Sequence, residues 1–574
     1  MKKRNATALI SSLIIITMAA ACGIRPAGIS SRDSSVSTGS SSSLSSGSRN
    51  KIAYTPPVNP TETPNDAAYF EAEEACAAYP GQTAVREYPE YPDMPDYHDP
   101  DWNTEEYSYI KENPFRSVKT APFSTFAADV DTASYANVRR MILTGDAVIP
   151  DAVRSEEMIN YFHYDYAEPE KDEPFGVTTE LAPCPWNADA ELLLVGLQAR
   201  KPDIREMPVS NLVFLIDVSG SMSDSSKLPL VKRSFMTLME NLSEKDRVTL
   251  ITYADGEEII CEGVPGSEKA AVMSMLESLE AGGATDGQHA LEMAYETAEK
   301  YFVEGGNNRI ILATDGDFNV GITSEGDLTR YIMEKTSGGI CLSVLGYGMG
   351  NYKDNKMEAI ADNGNGNYYY IDDIAEARKV LVEEAGGTLF TVAKDVKLQV
   401  EFNPAMVKGY RLIGYENRTM AAEDFSDDTK DGGEIGAGHQ VTALYEVIPA
   451  GSDYPVPEVE SRYGADQEPE AAISSGAASG GESADEWLTV KIRWKEPEGD
   501  TSMLLEYPVG SAQIREEMSE NMSWAAGVAQ TAMLLTDSSY KGTSSYAGIR
   551  DRLKGIACDD YREEFLYLLQ RLGR

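Results

Sequence analysis

The sequence predicts a doubly wound, mostly parallel α/β sheet inserted into a β-rich scaffold, with a helical segment at the C-terminus. Between residues 211 and 390, short apolar strands alternate with amphipathic helices, and unbroken apolarity is typical of strands buried on both faces. Helices on both faces of a parallel sheet place ligand sites beyond the carboxyl ends of the strands. The predicted strands are Leu212 to Ile216, Val248 to Tyr253, Ile310 to Ala313, Leu342 to Leu345 and Tyr368 to Ile371.

Strand-like segments lie on both sides of this α/β unit. Three precede it, near 123–131, 175–181 and 192–197, and three follow it, near 396–402, 441–447 and 487–494, with alternating apolar residues. We therefore expect the flanking strands to form one scaffold around the α/β unit, although two separate modules would give the same string. Helices are predicted at 134–141, 153–162, 524–535 and 546–572.

The most informative motif follows the first strand of the α/β unit. Asp217, Ser219 and Ser221 place three short oxygen-bearing side chains at alternate positions directly after the strand. Mg²⁺ prefers about six oxygen ligands and usually keeps water or a partner's oxygen in its shell. Because Asp and Ser also cap helices, the motif alone is a weak signal. With a buried strand before it, it predicts half of a divalent-cation site.

Two downstream residues can complete this site. Thr285 lies in a glycine loop that opens a helix, and Asp315 ends the apolar strand that starts near residue 309. Asp-x-Ser-x-Ser, then Thr, then Asp resembles the metal-ion-dependent adhesion site of von Willebrand factor type A domains, with all five positions matched in order. The resemblance implies the Rossmann-like fold of these domains, a Mg²⁺ ion, with Mn²⁺ or Ca²⁺ as alternatives, and a protein ligand.

The ligand set leaves the ion electrophilic. Two carboxylates, Asp217 and Asp315, neutralise it only formally, and three hydroxyls add no charge. We expect Ser219 and Ser221 to coordinate directly, Thr285 to bind directly or through water, and the two carboxylates to act partly through water. A carboxylate of an unknown partner protein would then complete the shell.

Several segments outside the metal motif have distinctive sequences: Glu112-Asn-Pro-Phe-Arg116, Phe126 to Tyr135, Glu156 to Phe162, Ala182-Pro-Cys-Pro-Trp186 and the turn at Asp537. They resemble a family of bacterial lipoproteins that carry a von Willebrand factor type A domain between family-specific N- and C-terminal regions. The resemblance covers residues 106 to 574 and implies an envelope location and metal-dependent protein binding.

The N-terminus has the pattern of a bacterial lipoprotein signal. Basic residues 2–4 precede an apolar stretch near 8–21 and then Cys22, which we expect to be the lipidated first residue of the mature chain. An ordinary signal peptide with an incidental cysteine is the alternative. Residues 23–105, first rich in Ser and Gly and then in Pro, Tyr and acid, are predicted to be a disordered tether. The folded part would then lie outside the cytoplasm, anchored to the cell membrane or envelope.

Charge and cysteine content exclude several functions. With 50 basic and 93 acidic residues, the formal net charge is −43, which opposes binding to nucleic acid or other phosphate-rich partners. Without Cys22, five cysteines remain, and an odd number cannot pair completely. We expect reduced, buried thiols and no zinc site.

We expect no enzymatic activity, because no nucleophile has an evident base. Asp129-Val-Asp131 resembles a phosphatase motif, but its Thr132 falls one position early, and Asp131 is interpreted as a helix cap. His289 is expected to face solvent or pack, and the run 362–367 is interpreted as a glycine-rich turn and not as a calcium loop.

The predicted function is therefore an envelope-anchored protein of adhesion type that binds its partner through a divalent cation. The alternative is a structural scaffold or envelope assembly factor in which the metal only stabilises the fold. The predicted regions are the signal segment 1–22, the tether 23–105, the N-terminal region 106–205, the α/β domain 206–390 and the C-terminal region 391–574. The last of these includes an acidic, disordered loop at 452–485.

Overall fold

A computed structural model describes residues 104–170, 173–201, 207–285, 289–316, 325–458, 485–497 and 499–574. All of them belong to one compact unit, 97–574. The signal segment, nearly all of the predicted tether and residues 459–484 of the acidic loop lie outside the described residues. Within the described ranges, no helix is both long and apolar enough to span a bilayer.

The central domain contains a six-stranded sheet with helices on both faces. Its first five strands are parallel and the sixth is an antiparallel edge, so the doubly wound fold is confirmed. One apolar core lies on each face, because the inner strands are apolar at successive positions. The strands, in sheet order, are Tyr368–Ile371, Cys341–Tyr347, Asn307–Thr314, Ser210–Asp217, Arg247–Tyr253 and Glu257–Pro265.

Two antiparallel sheets form a sandwich beside this domain and share one apolar core. The first sheet contains, in order, Arg116–Ser117, Val407–Ile413, Gln440–Pro449, Glu191–Ala199 and Phe175–Pro183. The second contains Thr419–Met420, Phe123–Ala127, Thr391–Phe402, Glu486–Lys495 and Ser502–Gly510, and the short strand Gly433–Gly436 also pairs with Thr391–Phe402.

Strand pairing decides between an inserted domain and separate modules. Phe123–Ala127, before the central domain, pairs with Thr391–Phe402, after it, with Phe126 opposite Leu398. Glu191–Ala199 likewise pairs with Gln440–Pro449. The chain therefore enters and leaves the central domain through a single sandwich, and the predicted insertion is confirmed.

Helices cover the central sheet and the outer face of the first sandwich sheet. The last helices differ from the sequence prediction, because the segment predicted as one helix over 546–572 contains two. Gly555 has φ +98° and interrupts it, and the Asp559 side chain caps the second helix by accepting a hydrogen bond from the Arg562 backbone N–H. The helices are Ala133–Thr144, Ser155–Asn160, Leu228–Asn241, Lys269–Glu277, Ala290–Lys300, Glu325–Thr336, Asp354–Asn363, Ile374–Arg378, Ala385–Leu389, Glu520–Leu535, Tyr546–Leu553 and Asp560–Leu572.

Four cysteines lie in the described part of the chain, and all four are free thiols, as predicted. Cys184 is buried, whereas Cys261, Cys341 and Cys558 are only partly buried. Burial raises the pKa of the Cys184 thiol to about 12, so this thiol stays protonated and unreactive.

Candidate metal-binding site

Parallel pairing brings the two predicted carboxylates to one edge of the central sheet. Asp217 is the last residue of Ser210–Asp217, and Asp315 directly follows the neighbouring strand Asn307–Thr314. The two strands run in register, with Ile216 opposite Ala313. Both carboxylates are completely buried, at 0% exposure. The sheet therefore places Asp217 and Asp315 side by side, as the sequence predicts.

The Asp217 carboxylate is fixed by three donors. Its Oδ1 accepts a hydrogen bond from the Ser219 backbone N–H at 2.8 Å. Its Oδ2 accepts from Tyr253 Oη at 3.2 Å and from Thr314 Oγ1 at 3.3 Å. Because both oxygens are held by neighbouring groups, Asp217 has a single orientation at the end of the strand.

The two motif serines lie together beside these carboxylates. Ser219 Oγ and Ser221 Oγ are 3.0 Å apart, and the Ser221 side chain is hydrogen-bonded to Asp315. A short 3-10 turn, Gly220–Ser223, follows Ser219 and brings the alternate hydroxyls to the same side. Ser219 is buried at 1% exposure, whereas Ser221 is exposed, so the hydroxyl pair reaches from the interior to the surface.

The loop that carries Thr285 is attached to the same turn by its backbone. The Gly220 N–H donates to the Gly283 carbonyl at 3.0 Å, and the Gly282 N–H donates to the Val218 carbonyl at 2.8 Å. Gly283 has φ +81°, a conformation that favours glycine, and a Cβ there would lie 2.6 Å from Asp255 Oδ2, so a larger residue would be strained at this position. Thr285 follows two residues later in the same loop and is half-buried.

Lys227 is a site residue that sequence reasoning missed. Its Nζ donates to Asp315 Oδ2 at 2.8 Å and to Asn351 Oδ1 at 3.0 Å, and Asn351 Nδ2 donates to the same Asp315 oxygen at 3.1 Å. Lys227 immediately precedes the helix Leu228–Asn241 and is buried at 7% exposure. In the sequence, Lys227 is only a single lysine ten residues after Asp217. Its role depends on a loop more than 120 residues further along the chain, so no local pattern could have indicated it.

The two carboxylates differ in pKa. Burial, reinforced by repulsion from Asp315, raises the pKa of Asp217 to about 6, even though hydrogen bonds from Ser219 and Tyr253 favour its charged form. Burial also acts on Asp315, but the positive charge of Lys227 and the hydrogen bonds from Lys227, Ser221 and Asn351 outweigh it and lower the pKa of Asp315. Asp315 is therefore the more firmly ionised of the two.

The donor set fits a hard divalent cation. All of its members offer oxygen, the ligand type that Mg²⁺, Mn²⁺ and Ca²⁺ prefer. Neighbouring ligands of an octahedral ion at about 2.1 Å lie about 3.0 Å apart, and the oxygens of Ser219 and Ser221 have this separation. Among the described residues there is no group of three or more His, Cys, Asp or Glu that could hold a metal, so a cation here depends on the hydroxyls.

The Asp129–Asp131 motif has a different role. The prediction that Asp131 caps the following helix is wrong. That helix begins at Ala133, and Thr132 is its N-cap residue. The Asp131 carboxylate instead accepts a hydrogen bond from the Tyr368 N–H at 2.9 Å, and Asp129 Oδ2 pairs with Arg418 at 3.2 Å. These aspartates connect the sandwich to the central domain.

The other two alternatives behave as the sequence predicts. The side chain of His289 is 63% exposed and pairs with Glu292 at 3.1 Å. Asp362 and Asn363 end the helix Asp354–Asn363, and residues 364–367 form the glycine-rich turn before the strand Tyr368–Ile371, with Gly364 and Gly366 close to Leu342. Neither segment contributes to the candidate metal site.

Comparison with known proteins agrees with this architecture. A family model described as the von Willebrand factor type A domain matches residues 211–383, one described as von Willebrand factor matches 101–194, and one described as the C-terminal region of the uncharacterized protein YfbK matches 387–574. The chain is 42% identical to YfbK from Escherichia coli (strain K12) over 477 residues, and this alignment covers 81% of each chain. The chain belongs to the YfbK family.

Solved structures with related folds are more distant from this member of the YfbK family. A von Willebrand factor type A protein from Catenulispora acidiphila is 15% identical and covers 71% of this chain and 91% of that chain, with a TM-score of 0.38. A second structure is that of proximal thread matrix protein 1 from the mussel byssus, with a zinc-occupied MIDAS motif. It is 18% identical, the match covers 31% of this chain and 45% of that chain, and the TM-score is 0.27.

The match of residues 211–383 to the family model confirms the predicted von Willebrand factor type A domain. Such domains commonly mediate metal-dependent protein interactions and often bind a divalent metal at the adhesion motif.

Proposed function

We propose that this YfbK-family chain is an envelope-anchored protein that binds a partner protein through a divalent cation. The cation would be held by Asp217, Ser219, Ser221, Thr285 and Asp315. When bound, the ion supplies an electrophilic centre that accepts a carboxylate oxygen from the partner. Mg²⁺ is the proposed ion, with Mn²⁺ and Ca²⁺ as alternatives, and no catalytic activity is proposed.

One observation carries this proposal. The hydroxyls of Ser219 and Ser221 are 3.0 Å apart, and each of these serines is hydrogen-bonded to one of the two buried carboxylates. Ser219 is linked to Asp217 through its backbone N–H, and Ser221 is linked to Asp315 through its hydroxyl. Because Ser221 is exposed, an ion bound there would be accessible to another protein.

The test of function is partner capture from envelope extracts with and without a chelator. We expect wild-type protein to retain specific partners only in the presence of Mg²⁺, and Ser221→Ala to lose them. Ser223→Ala is the matched control, because Ser223 is an exposed serine of the same turn that lies outside the motif. Retention of the same partners by Ser221→Ala in the presence of chelator would contradict the proposal.

Membrane attachment is a separate part of the proposal. It is supported by the basic, apolar and cysteine pattern that ends at Cys22 and by the long polar segment that follows. We expect Cys22→Ser to move the protein from the membrane fraction to the soluble fraction of lysed cells. Unchanged membrane association would reject Cys22 as the anchor and leave the metal site unaffected.

The second candidate function is a structural scaffold, and the junction between the domains favours it. Arg139, before the central domain, pairs with Glu376 of that domain at 2.9 Å and with Glu564 of the C-terminal helix at 3.3 Å. Such a junction fixes the central domain in one position. If Mg²⁺ raises the melting temperature while partner capture is the same with and without chelator, the scaffold function replaces the first proposal.

A further inference from the structure

The position of Lys227 suggests how metal binding and partner binding are connected. Its ammonium group contacts Asp315 Oδ2, and Asn351 contacts both the same oxygen and the ammonium group. Both donors therefore converge on one oxygen of Asp315, while the Asp315 carboxylate also bonds to Ser221. The lysine therefore contacts one proposed metal ligand, Asp315, directly, and that carboxylate links it to a second proposed ligand, Ser221.

The lysine side chain is confined by the fold. Gly348 has φ +75°, and a Cβ there would lie 2.3 Å from Lys227 Cε, so the glycine leaves room for the lysine stem. The Gly348 carbonyl accepts a hydrogen bond from Tyr370 Oη at 2.5 Å, which holds this loop in place. A lysine held in this way differs from the mobile surface lysines that solvent screens.

The charge balance of the edge follows from these contacts. Asp217 and Asp315 contribute two negative charges, and Lys227 returns one positive charge at 2.8 Å from Asp315. A divalent cation bound by the serines would experience repulsion from a buried ammonium group, where effective screening is weaker than in water. After the cation binds, the edge has a net charge of about +1, which favours an anionic ligand.

We propose that Lys227 is a built-in counter-cation that weakens metal binding until an acidic group of the partner joins the ion. The inference deepens the proposed function and depends on it. Its consequence is positive coupling: metal and acidic ligand each bind more tightly in the presence of the other, and the coupling depends on the charge of Lys227.

Titration calorimetry with Mn²⁺ alone, on the full chain in detergent, tests the first half of this inference. We expect Lys227→Met to bind Mn²⁺ at least tenfold more tightly than wild type, which is about 1.4 kcal/mol. Lys232→Met is the matched control, because Lys232 lies in the helix that follows Lys227 and donates to the Leu279 carbonyl at 2.9 Å, which is not a proposed metal ligand. The control should bind Mn²⁺ as wild type does.

The coupling between the metal and an acidic ligand is tested with a capped Gly-Glu-Gly peptide at millimolar concentration, with capped Gly-Gln-Gly as its neutral counterpart. In wild type, the Glu peptide should tighten Mn²⁺ binding severalfold and the Gln peptide should not. In Lys227→Met this difference should shrink, because the excess positive charge has been removed. Thermal melts give an independent readout, since Mn²⁺ should raise the melting temperature of Lys227→Met more than that of wild type.

The outcomes separate this inference from the proposed function. Equal or weaker Mn²⁺ binding by Lys227→Met, relative to Lys232→Met, would overturn the inference even if Ser221→Ala abolishes binding. Mn²⁺ binding by wild type that Ser221→Ala leaves intact would overturn the proposed site itself. If Lys227→Met does not fold, Lys227→Gln, which keeps a hydrogen-bond donor without the charge, should show the same tightening, and its failure to do so would be equally decisive.

Discussion

The edge of the central sheet and the Arg154 cluster at the junction between the domains both place buried carboxylates around one basic side chain, but the two basic side chains have different partners. At the junction, Arg154 pairs with Asp354 at 2.5 Å and also contacts Glu157 and Glu358, all of them buried. At the edge, Lys227 pairs with Asp315 alone, beside an exposed serine. The carboxylates around Arg154 find their cationic partner inside the protein, whereas the edge presents an exposed serine hydroxyl beside its buried carboxylates. We therefore expect the Arg154 cluster to stabilise the fold and the Lys227–Asp315 edge to take part in ligand binding.

The largest expected effect is at the junction. Arg154→Leu leaves Asp354 and Glu157 buried without their partner, and breaking a buried pair from one side costs about 3–5 kcal/mol. Urea unfolding measures the loss, and Arg493→Leu is the control, because its pair with Asp428 is half-exposed and worth at most about 1 kcal/mol. A loss below about 1 kcal/mol for Arg154→Leu would show that the Arg154 cluster does not stabilise the fold more than an ordinary surface ion pair does.

Metal removal should act only at the edge. At a free Mg²⁺ concentration about 100 times its Kd, a site that exists only in the folded state adds about 2.7 kcal/mol to the free energy of unfolding. We expect a chelator to remove this gain in wild type and in Ser223→Ala, and to have no effect on Ser221→Ala. A chelator effect of equal size in all three proteins would show that the ion binds elsewhere.

The junction also predicts a pH dependence. Although burial alone would raise it, the pKa of Glu384 is lowered to about 2 because Lys379 lies at 2.7 Å and His163 at 3.2 Å. A folded-state pKa below the unfolded value stabilises the protein above about pH 4.5, and this contribution is lost as the pH falls towards 2. Glu384→Gln should therefore reduce the free energy of unfolding by about 1.5 kcal/mol at pH 7.

The difference between wild type and Glu384→Gln should narrow below about pH 4.5, in chemical unfolding measured at several pH values. Glu401→Gln is the control, since Glu401 forms a half-exposed pair with Lys491 at 2.7 Å. A difference that is the same at pH 7 and pH 3 would mean that Glu384 is not stabilised by its cationic neighbours.

The smallest effect concerns the loop that carries Thr285. Gly283→Ala should cost about 1 kcal/mol of stability, because φ is positive there, and should weaken Mn²⁺ binding severalfold by pushing the loop away from Asp255. Gly305→Ala has the same backbone strain, at φ +66°, but its Cβ would meet no atom within 4 Å. Gly305→Ala should lose about as much stability as Gly283→Ala and should bind Mn²⁺ as wild type does. If both variants bind Mn²⁺ equally well, Thr285 does not belong to the metal site.

Local patterns allowed the sequence to predict the central sheet and the two strand-end aspartates. A buried parallel strand is apolar at successive positions, so Asp217 and Asp315 mark its end, and parallel pairing brings such ends together. Strand patterns on both sides also predicted that the domain is inserted into a β-rich scaffold, but the same patterns fit two separate modules, and only the pairing of flanking strands decides between them.

Contacts between distant segments could not be predicted in this way. Lys227 acquires its role only when the loop with Gly348 and Asn351 folds against it, and Asp131 bonds to the Tyr368 backbone instead of capping its own helix. Strand Val407–Ile413 was missed because glycine and charged residues interrupt its apolar pattern. Each of these depends on tertiary pairing that no local spacing encodes.

The most direct test of the central claim is the anomalous difference map of a crystal of this protein soaked in Mn²⁺. The account predicts a peak at the edge of the central sheet, within direct coordination distance of Ser219 Oγ and Ser221 Oγ, with Asp217, Thr285 and Asp315 around it. A map without a peak at that edge, at saturating Mn²⁺, would contradict the account.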